Sequence, residues 1–389
     1  MDDLRFNLHC HVFNLKAVFS KKTQHIIAQR VLDAGFSTGV AQLVVKVITG
    51  LLKGPEAIEK IQQLIDPHQH NDFLEFLKVA LLEEMDEVTN WLLGQLEPDV
   101  IVTPLMMDIT TPDANDGAFF QAQTDSTLRQ MYRFPGRVLP FFAFNPLRPD
   151  AMTRLENAWR QGFVGMKLYP SLGYDIRSAV VERAVRFCAE RDMPIMQHCS
   201  KGGFYATRQD RDNSLPTYWA TYLQGIPGLK LCLGHFGGEG DFVTPGSQNN
   251  WTDAILKMMA LFNGHEDMGT VYADVAYHTT GMPPNAPDAY KERLKSILEE
   301  EGCRPYVLWG TDSFLVRQRV TEREYWDNFL GGLIGDDDFH EICSLNAMEY
   351  MGFHGRRLAR NLSNYVKVMR ANSSLFDARQ AAPWLRERL

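Results

Sequence analysis

The sequence predicts an α/β protein built as a (β/α)8 TIM barrel, with a helical insertion between the first and second strands. Eight short apolar runs recur along the chain, amphipathic segments separate them, and the chemically distinctive residues fall at the C-terminal ends of several runs. A doubly wound dinucleotide-binding sheet would carry a glycine fingerprint after its first strand, whereas Phe6–Asn14 (FNLHCHVFN) contains no glycine.

The runs are Phe6–Leu8, Val100–Met106, Val138–Phe144, Val164–Leu168, Ile195–Met196, Leu229–Leu233, Val271–Val275 and Tyr306–Trp309. Most are continuous rather than alternating, as expected of parallel strands buried on both faces. Ala151–Gln161, Ala179–Arg191 and Tyr290–Glu301 are amphipathic segments between them. The pattern predicts one barrel domain over residues 1–389. The stretch 14–97 is too long for one crossover helix. Its apolar residues recur at helical spacing, with Val40, Leu43, Val44, Val47 and Leu51 on one face and Phe73, Phe76, Leu77, Ala80 and Leu81 on another. It reads as an insertion that caps the barrel mouth or forms an oligomer interface, which makes a homodimer plausible. From Asp336 onward the chain reads as helices on the barrel exterior, with Pro383 breaking the last turn.

Composition narrows the function classes. A chain of 389 residues, 45% hydrophobic and 23% charged, can bury a large core. With 40 basic and 48 acidic residues its net charge is −8, which argues against non-specific attraction to nucleic acid or anionic membrane. Val40–Leu52 is interrupted by Lys46 and is shorter than the ~20 apolar residues of a membrane span. The opening MDDLRFNLHCH lacks the basic and apolar regions of a secretory signal, so a cytoplasmic location is expected. Six scattered cysteines without CxxC pairs predict reduced, mostly buried thiols.

Residues two apart on a strand point the same way, so His9 and His11 can both aim an imidazole into the barrel mouth while Cys10 faces away. Such a pair suits zinc or another borderline divalent metal. The spacing alone carries little, since His68 and His70 repeat it inside the insertion, where a solvated helix start is the better reading. The fifth run ends at His198, the sixth at His235, and the eighth at Asp312 after two small residues. Singly, each is as readily a hydrogen-bonded core or loop residue. Together they need a partner, because unpaired buried polar groups are costly. A divalent cation meets that need, lowering the pKa of a bound water from near ~16 to about 7 and polarising a carbonyl. Asp312 could ligate it and act as general base, while His235 could bind a second metal or polarise the substrate and shuttle a proton. Lys167, at the end of the fourth run, has three readings: a carbamate bridging two metals, an anchor for an anionic substrate group, or a structural cation paired with a loop carboxylate.

These motifs together resemble the amidohydrolase superfamily, and more narrowly its amidohydrolase-related branch, which contains decarboxylases acting on aminocarboxymuconate semialdehyde and on resorcylates. The resemblance spans nearly the whole chain outside the insertion. It rests on the first-strand HxH, G-F-V-G-M-K-L-Y-P at 162–170, P-I-M-Q-H-C-S at 194–200, L-G-H-F-G-G at 233–238, Y-A-D-V at 272–275, W-G-T-D-S at 309–313, and the segment Ile342–Gly352 with Asn346-Ala347 inside it. It implies His9, His11, His198 and Asp312 as ligands of one metal, with His235 polarising or acting as acid/base. Members with two metals add the sixth-strand histidine and a carboxylated fourth-strand lysine, here His235 and Lys167. One ion is favoured and two are open; zinc is the default, with manganese, iron, nickel and cobalt also acceptable to such ligands.

The expected function is metal-dependent hydrolysis of a C–N or C–O bond (amide, lactam, ester or lactone) in a small molecule by metal-activated water. The first alternative is metal-dependent non-oxidative decarboxylation or hydration of a small carboxylic acid; the second is an inactive barrel acting as a binding protein. Candidate substrate-binding residues are Tyr169, Arg208, Arg211, Glu239, His278 and Arg317, all placed by the strand assignment around the mouth.

Overall fold

The structure, a computed structural model, describes residues 4–18, 24–33, 35–52, 54–64, 67–109, 117–282, 288–300 and 302–389. Its strands are β1 (Phe6–Cys10), β2 (Ile101–Pro104), β3 (Phe141–Ala143), β4 (Gly165–Leu168), β5 (Ile195–Ser200), β6 (Lys230–Gly237), β7 (Thr270–Asp274) and β8 (Val307–Leu308). β3 to β8 pair in sequence order as one parallel sheet, and β1 pairs with β2. Parallel bridges Val102↔Val138 and Leu105↔Phe141 join β2 to β3, and Cys10↔Ser313 joins β1 to the segment after β8. At that second seam Leu8 N donates to Trp309 O at 3.2 Å and Asp312 N to His9 O at 2.7 Å. These contacts close the two sheets into a (β/α)8 TIM barrel.

The short strands follow from their composition: every residue of β2, β3 and β4 is buried, so each has an apolar layer on both faces. The helix Ala179–Ala189 shows how a crossover is made. Ser178 Oγ accepts from Val181 N at 3.4 Å to start it, and Val181, Ala184, Val185 and Cys188 bury one face against the sheet.

The C-terminal segments pack against the end of the barrel opposite the candidate site. Leu362, Tyr365, Met369, Trp384 and Leu385 share a core cluster with Met196, Cys232, Tyr272 and Leu308, which precede His198, His235, Asp274 and Asp312 in the chain by two to four residues. Pro383 does not break the last turn. It opens the short helix Pro383–Arg386, where a proline's missing N–H has no intrahelical partner to lose. The next residue, Trp384, is fully buried and donates through Nε1 to Gly136 O at 2.9 Å.

Between β1 and β2 lie the helices Leu15–Val18, Gln24–Asp33, Thr38–Ile48, Gly54–Gln62, Pro67–Ala80 and Met85–Gln95. Val40, Val44, Val47, Phe73, Phe76, Leu77, Ala80 and Leu81 are buried, as the helical spacing predicts. Leu51 departs from that pattern: its helix ends at Ile48, and the side chain beyond it is 75% exposed. The side chains of His68 and His70 lie outside those described. All six cysteines are buried and free. Among the described residues no helix is long and apolar enough to cross a membrane.

Candidate metal centre

β1 carries His9 into the barrel mouth, where Nδ1 lies 2.9 Å from Asp274 Oδ2 at the end of β7. Asp274 is fully buried, and its other oxygen accepts from His235 N at 2.9 Å and Ala276 N at 3.0 Å. Burial alone would raise the Asp274 carboxyl, but His9 and the amide of His235 hold it well below the ordinary carboxylate range. Burial pushes His9 down to about 4, so its ring is neutral at pH 7. Facing an ionised carboxylate, Nδ1 keeps the proton and Nε2 presents a lone pair.

The same logic fixes two further rings. His11 Nδ1 is 2.8 Å from Leu105 O and His235 Nδ1 is 3.0 Å from Ala276 O. A carbonyl only accepts, so both Nδ1 atoms donate, and Nε2 is the ring atom left for another partner. Asp312 Oδ1 lies 3.1 Å from His11 Nε2 and 3.6 Å from His9 Nε2, yet this buried oxygen accepts no well-aligned hydrogen bond. Burial would raise the Asp312 carboxyl, while His11, His235 and His9 together bring it below its ordinary range. Ring nitrogens and a carboxylate oxygen therefore converge at the strand tips. Ligand atoms of His9, His235 and Asp312 all lie within 4.8 Å of one another. This donor set of imidazole nitrogens and a carboxylate fits a divalent cation.

His198, at the tip of β5, reaches the same place in a different way. Its Nε2 donates to Gly202 O at 3.1 Å, leaving Nδ1 as the acceptor, and its ring centre is 4.9 Å from that of His235. Burial keeps His198 neutral by pushing it well below its ordinary value. The tight triple thus contains His235, while His198 flanks it.

The tips hold these side chains through unusual backbone. His235, Asp312 and Tyr277 have φ of 63°, 57° and 61°, a left-handed conformation that is uncommon outside glycine and gathers at functional sites. Close approach matters as much at Gly310, where a Cβ would lie 2.5 Å from His9 Cβ and 2.6 Å from His9 N. Only hydrogen fits there, between β1 and the segment after β8. Gly310→Ala is expected to cost about 1–3 kcal/mol through overpacking. Thermal unfolding reads it, and an unchanged midpoint would mean that the two strands do not approach this closely.

Lys167, on β4, is buried, and its Nζ has no hydrogen-bond partner. Burial lowers it to about 8, against the opposing pull of Asp274 and Asp312. No carboxylate of a described residue lies within ion-pair distance, so its reading as a structural cation paired with a loop acid is not what the fold contains.

A cavity of about 450 Å³ opens above these groups. Tyr169 and Glu239 line it as expected; Tyr169 Oη accepts from Phe204 N at 2.8 Å, and Glu239 Oε2 accepts from Thr280 N at 2.9 Å. His278 also lines it, but both ring nitrogens are engaged, at 2.9 Å to His235 O and 3.0 Å to Tyr290 Oη. It braces His235. Three expectations are corrected. Arg208 and Arg211 sit in a neighbouring cleft with Asp33 and Tyr205, because the chain after β5 coils away as the turn Arg208–Ser214. Arg317 points from the loop after β8 into the insertion, 3.5 Å from Glu322, 3.4 Å from Glu75 and 4.8 Å from the Trp91 ring centre. Arg319 takes its place in the cavity wall.

Sequence reasoning assigned no role to Asp274, although it stands in the Y-A-D-V motif. It also missed Ile27 and Val31, which with Phe73 and Phe76 bring the insertion to the cavity.

A (β/α)8 barrel whose strand tips converge histidines and an aspartate on a metal-sized gap defines a TIM-barrel protein with a candidate divalent-metal centre. The chain belongs to the amidohydrolase family, whose sequence model matches residues 65–353. That match starts beyond His9 and His11. Among solved structures the chain is similar to a probable 2-pyrone-4,6-dicarboxylic acid hydrolase of Acinetobacter baumannii with citric acid bound, at 15% identity and a TM-score of 0.52, over 90% of this chain and 100% of that one. It is also similar to an uncharacterised TIM-barrel protein of Bordetella bronchiseptica, at 13% identity and a TM-score of 0.50, over 89% and 98% of the two chains. A 2,6-dihydroxybenzoate decarboxylase of Rhizobium aligns at 16% identity and a TM-score of 0.48, over 70% and 89%. At these identities the first two likenesses establish the fold. A comparison with curated protein sequences found no match.

Proposed function

We propose that this chain is a metal-dependent hydrolase that cleaves a C–N or C–O bond (amide, lactam, ester or lactone) of a small molecule. The observation that carries the reading is Asp312 Oδ1, buried without a well-aligned hydrogen bond and facing the Nε2 atoms of His9 and His11 at 3.6 and 3.1 Å. The ligands are drawn from His9, His11, His198, His235 and Asp312. One ion is favoured, since one triple of the described residues falls at ligand spacing, and zinc is the default for such donors. When bound, a divalent cation acidifies water and polarises a carbonyl. Asp312 then accepts the proton of the attacking water and returns it to the leaving oxygen or nitrogen. Asp274 holds His9 in the tautomer that leaves Nε2 bare, as carboxylates do for metal-binding histidines.

Metal content per chain, measured by mass spectrometry on protein purified without chelators or a metal-binding tag, tests the site. About one ion is expected, and His9→Ala should lose it. No ion after reconstitution would remove the hydrolase reading.

Decarboxylation is the second reading. It is favoured by the unpartnered Lys167 Nζ, which suits a substrate carboxylate. Release of carbon dioxide from a panel of small carboxylic acids, with no hydrolysis of amides, lactams, esters or lactones, would decide for it.

A further inference from the structure

The cavity is lined by two unlike sets of side chains. Its lining combines His9, His11, His235 and Lys167 at the strand tips with Ile27 and Val31 on the helix Gln24–Asp33 and Phe73 and Phe76 on the helix Pro67–Ala80, a wall supplied by the insertion. Both helices belong to the insertion, and both are tied to barrel loops by an acidic residue next to their wall residues. Tyr205 Oη, after β5, donates to Asp33 Oδ2 at 2.8 Å, and Arg317 Nη2, after β8, lies 3.4 Å from Glu75 Oε2.

The wall is fixed from within as well. Phe73 stacks on Phe36 with ring centres 3.9 Å apart, and Phe76 stacks on Phe314 at 5.6 Å, two residues beyond Asp312. A wall held this way keeps its shape, and a cavity that joins an apolar wall to a polar floor favours a ligand with the same division.

We propose that the two inserted helices are the substrate-selecting element of this site, and that its substrate carries an apolar body opposite the polar group that meets the histidine floor. Phe73 and Val31 are the specificity-determining residues. The inference rests on reading that floor as the reacting end. A substrate body removed from water against these side chains contributes affinity in proportion to its apolar area, and small ligands that reach only the floor forgo it.

The test reads binding alone, so it stands or fails separately from hydrolysis. Acetate, butanoate, phenylacetate and 3-phenylpropanoate are titrated into the full metal-loaded chain by calorimetry, because the unpartnered Lys167 Nζ suits a carboxylate head group. Affinity is expected to rise at least about tenfold from acetate to 3-phenylpropanoate. Phe73→Ser should erase most of that rise while acetate moves less than about twofold, and Phe73→Leu, which stays apolar, should restore it. Val31→Thr, nearly isosteric, puts a hydroxyl in the wall and should weaken only the phenyl-bearing ligands; it carries the test if Phe73→Ser does not fold. A flat series, no binding of either phenyl-bearing acid, or equal affinities in wild type and variants would overturn the proposal. Binding as expected in a chain that hydrolyses no amide, lactam, ester or lactone would keep the wall and remove the hydrolase reading.

Discussion

Replacing Asp312 by asparagine is expected to lower kcat/KM by about 10²- to 10⁴-fold, the range of a lost general base. The amide keeps the shape of the side chain but has no basic oxygen to take a proton from water, and it is a weaker partner for a cation. The surroundings sharpen the effect. Asp312 sits on left-handed backbone with its amide donating to His9 O at 2.7 Å, so the substituted side chain has little freedom to move aside. His11, His235 and His9 already hold the native carboxyl ionised, against the effect of burial. Metal content measured on the same protein separates the two roles. Loss of metal with activity assigns Asp312 to binding, whereas a retained ion with turnover gone assigns it to proton transfer. Full turnover in metal-loaded Asp312→Asn would remove Asp312 from the mechanism, and the proposed hydrolysis with it.

The barrel was legible in the sequence because its strands are buried on both faces. Continuous apolar runs are what that environment demands, and the residues at their tips are polar for a reason that core packing does not supply. His9, His11, His198, His235 and Asp312 could therefore be placed at one mouth from strand position alone. Side-chain direction within loops could not. Arg208, Arg211 and Arg317 follow strands as a mouth residue would, but the coil after β5 carries the first two into a neighbouring cleft, and Arg317 is turned towards Glu75, which stands 242 positions before it. Asp274 escaped notice for a different reason. It makes no direct claim on a ligand position and acts through the His9 ring. The insertion was recognisable as helical from its spacing, yet which of its apolar residues face the cavity depends on how its helices meet the barrel, and spacing does not encode that. Pro383 shows the limit of a local rule, since the residue that ends one helix can begin another.

The loop that carries Asp312 rests on a buried acid, and this makes a pH-dependent prediction. Glu322 is fully buried, accepts from Ser313 Oγ at 3.0 Å, and has Arg317 Nη1 3.5 Å from its other oxygen. Burial raises its carboxyl from 4.5 to about 7, outweighing the hydrogen bond from Ser313 and the charge of Arg317. Below pH ~4.5 Glu322 is protonated in the folded and unfolded chains alike and contributes no pH dependence. As pH rises from there to 7 the unfolded chain releases this proton while the folded chain keeps it. The folded state then binds more protons, so its stability falls with rising pH, by about 3 kcal/mol once pH exceeds 7, taking ~1.4 kcal/mol per pKa unit. Glu322→Gln keeps the shape and a carbonyl acceptor for Ser313 but has no proton to lose. Arg317 retains Glu75 and the face of Trp91. The variant is therefore expected to lack this fall, and its stability relative to wild type should rise between pH 4.5 and 8. Urea unfolding of both proteins across that interval gives the difference directly. A constant difference between them would mean that Glu322 ionises in the fold as readily as in water, with Arg317 dominating burial, and the loop under Asp312 would then rest on an ion pair rather than on a neutral acid.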